Sequence, residues 1–274
     1  DTPQGHRHFS SNQVALIGVS RQRHGRRSSP LHPRLHFAVM IFLLSPAKTL
    51  RLDPIPAHLL PLCTSPPFLP RADRLAAAVL RPLPPKKLAA LMSLSPALTA
   101  LTHARFQAYV PAATKETPGV LAAARAYDGP AFKALDAGTI PVGGAREYLE
   151  RNLCILSGLY GVLRANDVVQ PYRLEMGIRG LDLAPAAAGA DDADAAPPKS
   201  LDAFWRADVT AHILAAVQAS SSSEPPVVVD CASEEYSRAV DAAALRAGGV
   251  RVVKCVFEEG GRVVSATAKR ARGM

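Results

Sequence analysis

The sequence predicts an α+β domain in which helices surround a mixed sheet, and three features point there. Three short apolar runs, Met40–Leu44, Leu153–Leu156 and Val227–Val229, have the length and composition of buried strands. Helical patterns opened by prolines or capping residues fall between them. A hydrophobic content of 48% against 20% charged residues is that of a core-forming chain, and 274 residues suffice for one domain of usual size or two small ones.

Residues 1–39 are rich in arginine, histidine and serine. With six arginines and one acid, Asp1, they carry +5 of the formal +9, which leaves +4 for the other 235 residues. That composition resembles an organellar transit peptide; the alternative is sequence foreign to the protein, with Met40 as the original start. The basic balance lies mostly in this segment, so charge alone is a weak argument for nucleic acid.

From Met40 a buried strand runs to Leu44 and is ended by Ser45-Pro46. The prolines of 53–70 imply an irregular surface connection. Pro84-Pro85 opens a helix with Leu88, Leu91 and Met92 on one face, Ser93-Leu94-Ser95 interrupts it, and Ser95 caps a second helix with Pro96 at its first position. Gly143–Asn152 reads as a helix leading into the strand Leu153–Leu156. Residues 184–199 are low in complexity and read as a disordered loop insertion, and 220–226 as a second such connection. Between these, Phe204–Val217 is an amphipathic helix carrying the single tryptophan, Trp205. Val227–Val229 is a strand, and Ser233 caps a helix whose first turn holds Glu234 and Glu235, as the helix dipole favours. Val250–Phe257 and Arg262–Thr267 form a hairpin around 258–261.

No run approaches the roughly 20 apolar residues that cross a bilayer, so no membrane partner is expected. The four cysteines, Cys63, Cys154, Cys231 and Cys255, lack CxxC spacing. They suggest no disulfide scaffold and a reducing compartment, with Cys154 and Cys231 as core thiols. His58, His103 and His212 are isolated, so no metal and no cofactor is expected.

The densest chemistry lies in 157–179. Gly158, Gly161 and Gly177 permit close backbone approach, and Arg164, Arg173 and Arg179 alternate with Tyr160, Gln170, Tyr172 and Glu175. Planar guanidinium groups beside phenols suit phosphates, carboxylates or bases. A buried salt-bridge network, with Glu175 neutralising one arginine, accounts for the same residues. Ser45, Lys48 and Thr49 follow the first strand, a common place for ligands, but the glycines of a P-loop are absent.

LLSPAKTL at 43–50, LSGLYGVLRANDVVQPYRLEMGIR at 156–179, CASEEYSRAV at 231–240 and AKRARGM at 268–274 resemble the signature segments of the YaaA peroxide-stress family. PPKKLAALMSLSPALTALTHARF, AYDGPAFKALDA and the FW pair at 204–205 follow in the family's order, so the resemblance covers 40–274. It implies a single mixed-sheet domain with an unusual sheet arrangement and a helix-hairpin-helix element. It also implies sequence-independent binding of duplex or branched DNA, and a role in limiting damage from unincorporated iron under peroxide stress. The protein is then expected to be a cytoplasmic monomer, or a plastid or mitochondrial one if 1–39 is a transit peptide. The family continues past AKRARGM, so a C-terminal truncation is expected. For the DNA contact, Ser93 and Ser95 would offer donors at the hairpin turn, flanked by Lys86, Lys87 and Arg105. The second reading is an enzyme with a basic cleft for a small anionic or nucleotide substrate. That cleft would be lined by Ser45, Lys48, Arg164, Gln170, Tyr172, Arg173, Glu175, Lys269 and Arg272, with Lys48, Tyr172 and Glu175 as catalytic candidates.

Overall fold

The computed structural model describes residues 39–187, 196–219, 224–259 and 262–264. In chain order the elements begin with β1 (Met40–Leu44), a 3-10 segment Ala57–Leu62, and α1 (Leu69–Arg74), which continues as a π-helical stretch Leu75–Leu80. Next come α2 (Pro85–Met92), α3 (Pro96–Gln107), β2 (Leu121–Ala122), α4 (Ala123–Ala126), α5 (Pro130–Leu135) and α6 (Gly144–Asn152). The chain then gives β3 (Leu153–Ser157), β4 (Gly161–Leu163), β5 (Val168–Val169), α7 (Ala184–Ala187), α8 (Leu201–Gln218) and β6 (Val227–Asp230). It closes with α9 (Glu234–Ser237), α10 (Ala242–Ala247), β7 (Arg251–Lys254), β8 (Phe257–Glu259) and β9 (Arg262–Val264).

The three apolar runs become the middle of a five-stranded sheet in the order β4-β3-β1-β6-β7. β1 pairs in parallel with both β3 and β6, β6 pairs in parallel with β7, and β4 is antiparallel to β3. The sheet is therefore mixed, as the α+β expectation requires. All five residues of β3 are buried, which explains why its sequence shows no polar alternation. β1 instead buries Ile41 and Leu43 more deeply than their neighbours.

α8 lays one face on this sheet, burying Phe204, Trp205, Val209, Ile213 and Val217. Trp205 is fully enclosed and donates its indole N–H to the Gly158 carbonyl at 2.9 Å. Gly161 has φ +72°, and a side chain there would sit 2.7 Å from the Trp205 ring. The tryptophan and the glycine turn thus fix each other.

The two proline-started helices form as expected. The Ser95 side chain accepts from Leu98 N–H, and Ser93 closes α2 in the left-handed conformation at φ 50°. Three readings need correction. Residues 57–62 are not wholly irregular surface, because Leu59 is buried in a 3-10 turn. Part of the expected disordered insertion is packed: Ala186 in α7 is buried and its carbonyl accepts from Arg74, while 188–195 lie outside the described residues. The long C-terminal hairpin is divided. Residues 251–254 join the main sheet because their backbone continues the register of β6, with Cys255 N–H on the Asp230 carbonyl at 2.8 Å, and the hairpin is only β8 with β9.

A polar recess at the carboxyl edge of the sheet

The order of the strands decides where a ligand can enter. After β1 the chain leaves toward β3 on one side, and after β6 it leaves toward β7 on the other. Their carboxyl ends are neighbours whose loops diverge, and such a switch point leaves a crevice. A cavity of about 640 Å³ opens there, walled by the loop after β1 (Ser45–Thr49), the loop after β6 (Ser233–Tyr236), Tyr127–Pro130, and Tyr172–Glu175. Four segments far apart in sequence build it.

The two loops are tied across the crevice. The Ser233 backbone N–H donates to Ser45 Oγ at 2.8 Å, and the Ser45 hydroxyl lies 3.1 Å from Ser233 Oγ. Ser233 stands at the N-cap position of α9, but its side chain makes no capping bond. Glu235 is likewise more than a helix-dipole residue: its carboxylate accepts the Gly177 N–H at 2.7 Å and lines the recess.

Glu175 is the hub. Arg173 donates to its Oε1 at 2.9 Å, and Lys48 Nζ stands 3.6 Å from the same oxygen. Lys48 is 68% exposed, so that second pair contributes no more than about 1 kcal/mol and leaves the ammonium available. Arg173 and Glu175 are only 17% and 14% exposed. Arg173 Nε and Glu175 Oε2 are buried with no protein partner, and an unmet polar atom in such a place costs about 1–3 kcal/mol.

Behind these groups runs a chain of hydroxyls. The Tyr172 hydroxyl is 2.6 Å from Ser157 Oγ and 2.8 Å from that of Tyr127. Burial pushes the Tyr172 phenol up to about 12, so at neutral pH it is a hydrogen-bonding group and not a base. Burial raises Tyr127 as well.

The cleft expected from sequence forms only in part. Ser45, Lys48, Tyr172, Arg173 and Glu175 meet in one cavity. Arg164 does not. It follows β4, which runs antiparallel to β3, so three residues carry it about 10 Å from the glycine turn, to a hollow at the opposite edge with Glu150 and His212. Gln170 is buried elsewhere, exchanging two 2.8 Å bonds with the backbone of Val110. Lys269 and Arg272 lie outside the described residues. Nor is the recess basic among those residues: Lys48 and Arg173 face Asp128, Glu175, Glu234 and Glu235, two cations against four carboxylates. Asp128 is itself held by Arg51 and Lys133 at 3.2 and 3.3 Å. Sequence reasoning missed Tyr127, Asp128, Ser233, Glu234 and Glu235 as site residues. They stand inside AYDGP and CASEEY, where capping and dipole rules explained them too cheaply.

The hairpin residues are dispersed. The Ser93 and Leu94 N–H groups both go to the Ala89 carbonyl, so the turn amides are satisfied within the hairpin. Lys86 and Lys87 are exposed at the other end of α2, about 10 Å from Ser93. Arg105 is half-buried and close enough to Arg173 for that guanidinium, after burial itself, to lower its pKa. Among the described residues, no three metal-ligating side chains gather, and no helix is long and apolar enough to cross a membrane.

The fold and recess define an α+β domain with a ligand crevice at a strand switch point. Comparison with known sequences adds the family. Residues 40–274 match the family model described as peroxide stress protein YaaA, and the chain belongs to that family. Similar relatives include UPF0246 proteins of Albidiferax ferrireducens (42% identical over 210 residues, 76% of this chain and 72% of the relative), Paracidovorax citrulli (42% over 215, 78% and 74%) and Variovorax paradoxus (43% over 221, 78% and 75%). The family places the chain in the response to peroxide stress.

Proposed function

We propose that the recess is a binding site for a nucleotide-sized polar ligand, and that this site is how the protein serves the stress response. One observation carries the reading: Lys48 from the loop after β1 and Arg173 and Glu175 from a distant segment meet in a cavity of about 640 Å³, with the Lys48 ammonium exposed. The two cations suit an anionic group such as a phosphate. Glu234 and Glu235 suit hydrogen-bond donors such as exocyclic amines, and the tyrosines suit an aromatic ring. Calorimetric titration of the full chain with the four ribonucleoside monophosphates tests this. One of them binds, and at a hundred times its Kd raises stability by about 2.7 kcal/mol. Heat-silent titrations with no thermal shift for all four would sink the reading.

A second reading is sequence-independent DNA binding that helps limit damage from unincorporated iron. Lys86 and Lys87 favour it, since both are exposed on the first turn of α2 and, among the described residues, neither forms an ion pair. Its test is duplex retention titrated with salt, which falls steeply if phosphates are being neutralised.

A further inference from the structure

Cys231 and Cys255 immediately follow the adjacent parallel strands β6 and β7. β6 and β7 pair Asp230 with Lys254, and the next residue of each strand is a cysteine. The backbone is fixed on both sides: Cys231 N–H donates to the Leu43 carbonyl at 3.0 Å and Cys255 N–H to that of Asp230 at 2.8 Å. Neighbouring strands lie about 4.8 Å apart, which falls in the Cα spacing that a disulfide bridges. The two sulfurs are 3.4 Å apart, so closing to a bond of about 2.05 Å asks for a movement of roughly 1.4 Å, within side-chain rotation. Both thiols are free, and both residues are half-buried, so a small oxidant can reach them. Beside them the Lys254 ammonium is held by Asp230 at 2.9 Å and by the Ala232 carbonyl at 3.0 Å. This geometry was not foreseen: the sequence suggested a core thiol at 231 and nothing at 255.

We infer that Cys231 and Cys255 are a dithiol modification site, oxidised by small hydroperoxides to an intramolecular disulfide. The Cys255 thiol loses its proton and its sulfur attacks one peroxide oxygen; the O–O bond breaks, Cys255 becomes a sulfenic acid, and the departing hydroxide or alkoxide takes up that proton to leave as water or an alcohol. The Cys231 sulfur then attacks that sulfenyl sulfur. The S–S bond forms, the S–O bond breaks, and the departing hydroxide takes the Cys231 proton to give water. The peroxide is reduced by two electrons and the two thiols are oxidised by two, so no further reactant is needed. The order follows from the surroundings. Cys231 Sγ–H donates to Cys255 Sγ at 3.4 Å, so the proton stays on Cys231, whose thiol burial also raises, and Cys255 presents the attacking sulfur. Cys154 is fully enclosed and raised to about 12 by burial, and serves as the inert reference.

The inference does not depend on what the recess binds. Its test uses the full chain treated with hydrogen peroxide, alkylated under denaturing conditions, digested and read by mass spectrometry. The four free thiols fall to two. A peptide pair linked through Cys231 and Cys255 appears, and dithiothreitol reverses it. Neither Cys231→Ser nor Cys255→Ser gives the link, and circular dichroism reports whether these variants are folded. The inference is overturned if both thiols stay alkylatable under peroxide that consumes an equal concentration of glutathione. Unlinked sulfinic acids, or a link to Cys63 or to another molecule, would overturn it as well.

Discussion

The α2–α3 hairpin and the switch-point recess were both candidates for function, and they differ in how their polar groups are satisfied. The hairpin is closed on itself. Its turn amides share the Ala89 carbonyl, Ser95 caps α3, and its lysines stand two turns from the tip. The recess is open. It gathers side chains from four segments and leaves a guanidinium nitrogen and a carboxylate oxygen buried without protein partners. A self-satisfied element is explained by folding alone, whereas charged groups gathered from separate segments around an open cavity at a strand switch point suit a ligand.

Four measurements break or sharpen this contrast. The largest effect comes from the frame the recess stands on. Trp205→Ala removes a fully buried ring and the bond to the Gly158 carbonyl, and costs about 3–5 kcal/mol, read as a fall in the denaturant midpoint. A midpoint shift below about 1 kcal/mol would mean the glycine turn is held by something else.

A pH background must be separated next. Asp167 accepts bonds from Thr64 Oγ1 and the Arg164 N–H at 2.7 Å each, yet burial raises its carboxyl to about 7. The folded protein then holds this proton more tightly than the unfolded chain. Its contribution is most favourable below about pH 4 and declines as the pH rises toward 7, by up to about 4 kcal/mol. Asp167→Asn flattens that slope in denaturation curves taken at about pH 5 and pH 8. An unchanged slope would show that Asp167 titrates normally.

Arg173→Ala leaves Glu175 with only the exposed Lys48 and costs about 1–3 kcal/mol of stability, reduced from the value of a fully buried pair by partial exposure. Ligand affinity falls more than the fold suffers, by about 100-fold for the loss of a charged contact. Smallest is Lys86→Ala with Lys87→Ala, which changes stability by no more than about 0.5 kcal/mol. If DNA is bound through this end of the hairpin, the same pair lowers the salt dependence of duplex retention by a slope of about two. If retention and slope stay as they were, DNA contact there is excluded.

Much of the fold was legible because local rules were strong. The three apolar runs became the central strands, and Pro85, Ser95 and Pro96 marked the hairpin within a residue. β7 was misread because a strand's partner is not written in its own residues; only the register of β6 shows that 251–254 pair into the main sheet. The site was half legible. Lys48, Tyr172, Arg173 and Glu175 were found from their chemistry, but Arg164 was grouped with them by nearness in sequence, which an antiparallel turn reverses in space. Ser233, Glu234 and Glu235 were hidden because helix capping explains the same residue types.

Everything turns on whether the ligand contact lies in the recess or at the hairpin. Ribonucleoside monophosphate titrations of the wild-type chain, Arg173→Ala and the Lys86→Ala/Lys87→Ala variant, run side by side, decide it. Saturable binding that drops about 100-fold in the first variant and holds in the second is the predicted result. Binding that survives loss of the Arg173 guanidinium but fails without the two lysines would contradict it.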